Sequence, residues 1–271
     1  MKYIIWIVIL AMVLPPQYVL AGWEITGRII DREGNTILKR YFIQDNEIKV
    51  EKYDLIYSCN LKTESIIIVD PINLVFVKTT LKAYQSKMLE IKINIINDLL
   101  DFIPDNQKME YESLYKTKAE KEIVLHDFIN DSLIIRQLAD TVKLMGYDAL
   151  KFNITSNGRK LEEFFFTSEV NISKDINMGL FLQYAYLLEP EDFTIKYMVS
   201  KKYLETVNDG LVIRRFMFQD GYRTEWQVNK IDKKNIPAYE FGEPDLCKEI
   251  TLDKWFIRRN QTDDKFYDDY E

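Results

Sequence analysis

The order of strand-like and helical segments is the feature that most constrains the fold of this 271-residue chain. Alternating or β-branched runs bounded by turn residues predict strands, and apolar residues recurring at steps of three and four predict helices. In chain order the sequence predicts strands over 23–79, helices over 81–103 and 106–122, strands over 133–167, helices over 175–208 and a hairpin over 211–231. This order differs from the regular strand–helix alternation of a parallel nucleotide-binding sheet.

Alternation within the strands predicts a sheet with one covered face. Ile48 and Val50 alternate with the charged residues Glu47, Lys49 and Glu51, so apolar and charged side chains point to opposite faces. The helical stretch that follows the first strands is the expected cover. We therefore predict an α+β fold, in which helices cover the concave face of a curved antiparallel sheet that forms an incomplete barrel.

The first 21 residues have the layout of a cleavable secretory signal. Lys2 supplies a positive charge, an unbroken apolar run extends from Ile4 to Leu14, and Ala21 ends the segment with a small side chain. The apolar run is too short for a membrane-spanning helix. We expect cleavage after Ala21, a periplasmic or secreted protein, and no membrane-spanning segment after cleavage. Gly22 stands where a lipoprotein would have cysteine, so we do not expect lipidation.

The remaining chain is expected to form one domain over residues 22–254, followed by an acidic, flexible tail over 255–271. The formal net charge is −7, and the basic pairs Arg214-Arg215 and Arg258-Arg259 are short and isolated. Binding to nucleic acid needs a clustered basic surface. Nucleic acid is therefore not an expected partner.

Cys59 and Cys247 are the two cysteines of the chain. In an oxidising compartment they could form one disulfide, although a chain of this length can fold without one. The alternative is a pair of separate buried thiols, which behave as small apolar side chains.

Chemical motifs are sparse. His126 is the single histidine, which excludes a site with several histidine ligands, and the sequence contains no nucleophile elbow or phosphate-binding loop. Glu162 and Glu163 are adjacent on a predicted strand and should point to opposite faces, which does not suit a pair of catalytic carboxylates. We expect no catalytic residues, no metal site, no cofactor and no enzyme activity.

Several segments resemble the DUF4412 family of exported bacterial proteins. The matching segments are Arg40–Glu51, Ser65–Asp70, Leu74–Val77, Met145–Phe152, Glu162–Ser168 and Val228–Pro237. Together they extend over most of the chain after the signal. The chain departs from the family where many relatives carry a tryptophan and this sequence has Phe165 or Phe166.

The resemblance implies a fold similar to that of the periplasmic lipoprotein carriers LolA and LolB, an incomplete barrel around helices with an apolar cavity for acyl chains. An incomplete barrel that cannot collapse fully leaves an apolar hollow. The expected lining residues are Leu150, Phe152, Ile154, Phe165, Tyr222, Trp226 and Val228. Ordinary core packing is the alternative for each of them.

Three functions are compatible with these features. The first is a cell-envelope binding or carrier protein for an acyl chain or another apolar ligand, such as a lipid or lipoprotein. The second is a non-enzymatic envelope scaffold or protein-interaction module with a filled core and an envelope protein as its partner. A hydrolase is the third, although no nucleophile–base pair can be named for it.

Overall fold

Twelve strands form a single sheet in the computed structural model, which describes residues 21–123, 133–188, 195–219 and 221–259. The segment expected to be a signal peptide, apart from Ala21, lies outside the described residues, as does His126. The strands are β1 (Gly22–Ile30), β2 (Thr36–Gln44), β3 (Glu47–Glu51), β4 (Ile56–Asn60), β5 (Ser65–Asp70), β6 (Val75–Thr80), β7 (Leu133–Leu144), β8 (Tyr147–Ser156), β9 (Arg159–Thr167), β10 (Leu211–Gln219), β11 (Tyr222–Lys234) and β12 (Lys248–Glu249).

Six helices accompany the sheet in the described ranges, together with a short 3₁₀ helix at Ala238–Phe241. The helices are α1 (Leu81–Leu100), α2 (Asp105–Ile123), α3 (Met178–Leu188), α4 (Ile195–Met198), α5 (Lys201–Val207) and α6 (residues 252–259). Thr80 caps α1 by accepting a hydrogen bond from the backbone N–H of Ala83. The strands and helices follow the predicted order.

The sheet consists of two antiparallel runs of strands that meet at β1. Its order is β12-β6-β5-β4-β3-β2-β1-β11-β10-β9-β8-β7. The β1–β11 pairing is antiparallel and joins the two halves of the chain, whereas β12 pairs in parallel with β6. Because β12 and β7 are separate edges over the described residues, the sheet is open. The predicted α+β fold with an incomplete barrel is confirmed at this level.

Tight turns fix the register of several hairpins. Asp45 and Asn46 both have positive φ between β2 and β3, and Asn157 and Gly158 do so between β8 and β9. Two consecutive residues with positive φ are typical of the turn that matches the natural twist of a hairpin. The turn at residues 156–158 is the one that the sequence predicts.

One face of the sheet, which we call the inner face, carries the main core. Ile48 and Val50 lie on this face and are fully buried, as the alternation on β3 predicts. Tyr184, Leu187 and Leu188 of α3 belong to the same apolar cluster. A second cluster contains Phe152, Phe164 and Tyr203. The helices α3 to α5 therefore cover the inner face, mainly against the middle and the β7–β11 half of the sheet.

The helix α1 has a smaller part in the cover than the sequence predicts. Leu81 and Tyr84 in its first turns are buried, whereas Ile95 and Leu99 near its end are exposed. The end of α1 lies in a helical hairpin with α2. The apolar stripe correctly predicted a helix but did not show how much of it reaches the sheet.

The opposite, outer face is covered near β2 to β4 by the segment after β11. Phe42, Ile236 and Phe241 form a small buried cluster there. The hydroxyl of Ser58 donates a hydrogen bond to the carbonyl of Phe241 at 2.9 Å. Burial on both faces explains why β3 and β4 contain no exposed side chain.

The end of the domain lies later than the expected boundary at residue 254. Residues 252–259 are helical, and Trp255 is buried in the main core although the tail was expected to begin there. The acidic residues that suggested a tail begin at Asp263, beyond the described residues.

The two cysteines are free thiols, so the disulfide considered for Cys59 and Cys247 is not formed. Cys59 lies on β4 and Cys247 just before β12. Three strand spacings, about 14 Å, separate these strands, which is about twice the Cα separation that a disulfide can bridge. Cys59 is buried, and burial raises the pKa of its thiol.

Candidate functional site

An apolar cavity of about 160 Å³ lies between the inner face and the helices α3 and α5. Its floor comes from β1, β2, β10 and β11, including Ile25, Tyr41 and Val228. Its roof comes mainly from Phe181 and Ala185 of α3 and from residues of α5. The cavity thus lies at the junction of the two halves of the sheet.

Three aromatic rings form one wall of the cavity. The rings of Tyr41 and Trp226 meet edge to face with centroids 5.7 Å apart, and Tyr41 meets Phe181 in the same way at 6.5 Å. Trp226 lies over Gly27, where an added Cβ would stand 2.2 Å from the indole ring. Edge-to-face contacts stabilise aromatic pairs beyond their buried area. The missing side chain at Gly27 therefore makes room for the indole.

A buried polar network adjoins the cavity and ties α4 and α5 to the sheet. The guanidinium Nε of Arg215 lies 2.6 Å from Oε1 of the fully buried Glu162. The hydroxyl of Tyr197 donates a hydrogen bond to the other carboxylate oxygen of Glu162. Arg215 donates from Nη2 to the hydroxyl of Tyr203 at 2.5 Å and from Nη1 to Sδ of Met198 at 3.1 Å. Each member thereby gains a partner in a dry environment.

Burial raises the pKa of the three acidic groups of this network. Loss of hydration raises the pKa of Glu162, although the charge of Arg215 and the hydroxyl of Tyr197 oppose the shift. Burial likewise raises the pKa of Tyr197 and of Tyr203. The two phenols therefore remain protonated at ordinary pH, where the hydroxyl of Tyr197 donates to Glu162 and that of Tyr203 accepts from Arg215.

Among the described residues that line the cavity, Lys39 and Arg215 carry the formal charges, and both are cations. Lys39 lies on β2 directly opposite Gly27 of β1 and is 4% exposed. The described lining contains no carboxylate. The described lining is thus mainly apolar, with Lys39 and Arg215 as its charged members.

The structure brings two of the seven predicted lining residues to the cavity, Trp226 and Val228. Leu150, Phe152 and Ile154 pack instead in the second core cluster, where Phe152 stacks on Phe164 with ring centroids 5.0 Å apart. These three residues lie on the inner face, as predicted, but side chains fill the space between their strand and the covering helices.

Phe165 and Tyr222 lie away from the cavity for different reasons. Phe165 alternates with Phe164 and Phe166 of the second core cluster, so its side chain points away from theirs, and its ring meets Phe216 at 6.3 Å. Tyr222 begins β11 beside the hairpin turn, is 58% exposed, and lies under the guanidinium of Arg32 at 5.9 Å. Glu162 and Glu163 point to opposite faces as predicted, with Glu163 paired to Lys151 at 2.9 Å.

Several residues of the site were missed by the sequence analysis. A signal for Glu162 and Arg215 was present, because each shares the alternation phase of buried neighbours, Phe164 and Met217 respectively. Opposite charges at two such inward positions indicate a buried pair. The apolar character of α3 on all sides also indicates a buried helix that could border a cavity. For Lys39 no comparable signal exists.

The described residues contain no cluster of three or more potential metal ligands. Likewise, none of the described helices combines the length and the apolar character needed to cross a bilayer.

Comparison with solved structures gives remote similarities. PNGF-II is 12% identical with a TM-score of 0.38, and the match covers 87% of this chain and 32% of that one. MucB of Pseudomonas aeruginosa, solved in complex with MucA, is 9% identical with a TM-score of 0.35 over 86% of this chain and 59% of that one. This chain therefore spans about a third of PNGF-II and about three fifths of MucB.

A LolA superfamily protein from Nitrosomonas europaea is 8% identical with a TM-score of 0.24, over 84% of this chain and 92% of that one. No curated protein matches the sequence.

A family model provides the clearest relationship. It matches residues 77–247, more than half of the chain, and its description is "Domain of unknown function (DUF4412)". The matched region includes all strands from β7 to β11 and most of the helices that cover the inner face. The resemblance noted in the sequence is confirmed, and the chain belongs to the DUF4412 family.

Proposed function

We propose that this protein is a non-enzymatic binding protein, exported to the periplasm or beyond, that holds a small apolar ligand or the apolar end of a lipid. The observation that carries this proposal is the cavity of about 160 Å³ between the inner face and α3. Cavities of this kind, lined by apolar and aromatic side chains with a few polar groups, are typical of ligand sites. The signal-like first 21 residues support export.

The volume of the cavity restricts the ligand. An engineered apolar cavity of about 150 Å³ accommodates benzene, whereas pockets for drug-sized molecules measure about 300 Å³ or more. The cavity of this protein, at about 160 Å³, therefore suits a ring or a short alkyl segment. A longer acyl chain would have only its end enclosed.

The chemistry of the lining supports binding rather than catalysis. Tyr203 is the hydroxyl-bearing residue next to Arg215, and its raised pKa makes it a poor nucleophile. The carboxylate of Glu162 is held by Arg215 and Tyr197. The cavity also favours ligand binding over the alternative of a scaffold, which would have a filled core.

Filling the cavity tests the proposal. The probe is phenylpropanol, an uncharged molecule with a single ring, titrated by calorimetry. Ala185 of α3 lines the roof of the cavity, so Ala185→Leu places three additional carbon atoms in it. We expect the affinity for phenylpropanol to fall at least tenfold.

The matched control is Ala119→Leu, the same change at a buried helical position that does not line the cavity. It should leave the affinity within twofold of the native value. Equal affinities of the native protein and Ala185→Leu would place the binding elsewhere, and absence of any binding would reject the proposed function.

A further inference from the structure

The buried polar network reaches the cavity at one end, through three side chains. Met198, Tyr203 and Arg215 line the cavity, whereas the described lining does not include Glu162 or Tyr197. Nη2 of Arg215 donates a hydrogen bond to the hydroxyl of Tyr203 at 2.5 Å, and Nη1 donates to Sδ of Met198 at 3.1 Å. The hydroxyl of Tyr203 therefore lies where the network borders the apolar space.

The hydroxyl of Tyr203 has a proton to donate in addition to the lone pair that Arg215 uses. A phenol oxygen both donates and accepts, whereas a guanidinium group can only donate. The proton of Tyr203 therefore does not serve the contact with Arg215. Over residues 21–123, 133–188, 195–219 and 221–259, no protein atom accepts this proton. Tyr197 differs, because its hydroxyl donates to Glu162.

An oxygen acceptor on a ligand would satisfy this donor. Tyr203 is 1% exposed, and buried hydrogen-bonding groups nearly always have partners. Burial raises the pKa of the phenol, so the hydroxyl keeps its proton at ordinary pH. A hydroxyl that accepts from a cation is also polarised, which makes its O–H group a stronger donor. A ligand without an acceptor would leave this proton unpaired, at a cost in affinity.

The aromatic wall of the cavity lies next to this donor. Arg215 of β10 is directly opposite Trp226 of β11, and both side chains line the cavity. The Cβ atoms of directly opposite strand residues are about 5 Å apart. The indole of Trp226 meets Tyr41 edge to face. An apolar ring against Trp226 and an oxygen atom at Tyr203 are therefore within the span of one small molecule.

We propose that the ligand carries a carbonyl oxygen, which accepts a hydrogen bond from the hydroxyl of Tyr203 while the apolar part of the ligand lies against Trp226. The ligand is then a ketone, ester or amide with an apolar ring or a short alkyl end. This inference rests on the proposed function, because it assigns the polar contact of the molecule that the cavity holds. It makes Tyr203 the residue that distinguishes carbonyl compounds from hydrocarbons of the same shape.

Two uncharged probes of the same shape test this contact by calorimetry. The first is benzylacetone, a ketone with a phenyl ring, and the second is its methylene analogue, in which a methylene group replaces the carbonyl oxygen. We expect Tyr203→Phe to weaken the binding of benzylacetone about tenfold and to change that of the analogue less than twofold. The matched control is Tyr184→Phe, the same change at a fully buried tyrosine outside the described lining. It should leave both affinities within twofold of the native values.

Infrared spectroscopy reports the hydrogen bond itself. A hydrogen bond lowers the stretching frequency of a ketone carbonyl. The isotope-labelled carbonyl of bound benzylacetone should therefore absorb at a lower frequency in the native protein than in Tyr203→Phe, a difference that a merely structural role of Tyr203 would not produce. If Tyr203→Phe does not fold, the native complex decides, because a frequency equal to that in a hydrocarbon solvent overturns the inference.

The outcomes separate this inference from the proposed function. Equal losses of affinity for the two probes in Tyr203→Phe overturn the inference and leave the proposed function standing. Binding of the methylene analogue without binding of benzylacetone has the same meaning. Failure of both probes to bind also overturns the inference, and failure of phenylpropanol together with both probes rejects the proposed function as well.

Discussion

At the residue scale, Arg214 and Arg215 show how one step along a strand changes the role of a side chain. They are neighbours on β10 and point to opposite faces of the sheet. Arg215 pairs with the fully buried Glu162 on the inner face, whereas Arg214 pairs with Glu225 at 2.8 Å and is 33% exposed. A buried pair is costly to break from one side, and a pair whose arginine keeps contact with water costs less to break.

Removing the cation from each of these two pairs should have different costs. Arg215→Met leaves Glu162 buried without its cation and should lower the free energy of unfolding by about 3 kcal/mol. Arg214→Met breaks a pair whose arginine side chain is one third exposed, so water can hydrate part of the site, and it should cost less than Arg215→Met although Glu225 is itself 8% exposed. Urea unfolding followed by circular dichroism measures both.

A double variant shows whether the loss comes from the unpaired carboxylate. Glu162→Leu combined with Arg215→Met replaces both charges by apolar groups and should recover most of the stability lost in Arg215→Met. A double variant as unstable as the single one would argue that packing of the arginine stem, and not its charge, is what matters.

At the element scale, the α1–α2 hairpin has a buried base and an exposed tip. Tyr84 near the start of α1 is 4% exposed, and its ring meets Phe256 of α6 with centroids 5.1 Å apart. Phe102, between α1 and α2, is 85% exposed. Two aromatic residues in one hairpin therefore differ greatly in the contacts that they make.

Truncation of each ring measures this difference. Tyr84→Ala removes a buried ring and should lower the free energy of unfolding by about 3 kcal/mol. Phe102→Ala should change it by less than about 0.5 kcal/mol, since the ring already lies in solvent. Thermal or urea unfolding of the purified variants provides the values, and a large loss for Phe102→Ala would contradict the exposed position of the tip.

Local patterns predicted the elements well because they depend on neighbours along the chain. The turn at residues 156–158 and the strands on either side of it are set by positive φ at Asn157 and Gly158 and by alternation. How deeply a strand residue is buried depends instead on segments that are distant in the sequence. Tyr222 and Trp226 occupy one strand at equivalent phases, yet Tyr222 lies at the open end and Trp226 under α3.

The candidate site was therefore predicted only in part. Periodicity identified Trp226 and Val228 as inward residues, but it could not show that Phe152 would be packed by Phe164 and Tyr203. The position of Lys39 at the cavity results from the pairing of β1 with β2 and from the location of Trp226 over Gly27. The sequence of a single segment does not show which three strands will lie side by side.

At the scale of the whole molecule, ion pairs reinforce the strands where the two halves of the sheet meet. Glu24 of β1 pairs with Arg40 of β2 at 2.6 Å and with Lys234 of β11. Hydrogen bonding from Lys234, together with Arg40, lowers the pKa of Glu24 below its ordinary value of 4.5. The carboxylate of Glu24 thus links β1 to β2 on one side and to β11 on the other.

The lowered pKa of Glu24 predicts how acid affects the stability of the folded protein. The pKa of Glu24 is lower in the folded protein than in the unfolded chain. Its contribution to the free energy of unfolding is therefore fully present above pH 4.5 and is lost as the pH falls through the folded-state pKa. Glu24→Gln should therefore be less stable than the native protein at neutral pH, with the difference shrinking in acid. Urea unfolding at several pH values measures this.

Glu33→Gln is the matched control for this prediction. Glu33 lies in the turn after β1, with a side chain 67% exposed and a distant contact to Arg32 at 3.9 Å. Its unfolding curves should follow those of the native protein at every pH. A constant difference between Glu24→Gln and the native protein across the whole range would show that the ionisation of Glu24 is not responsible.

The central position of β1 also sets the order in which the molecule can be assembled. β1 is the first described strand and pairs with β11, so that 199 positions separate Arg28 from its partner Gln227. Contacts of such long range form late, because the intervening chain must first be brought together. β1 therefore keeps one edge without its partner until β11 has also been synthesised. The two halves of the sheet can join only when most of the described domain is present.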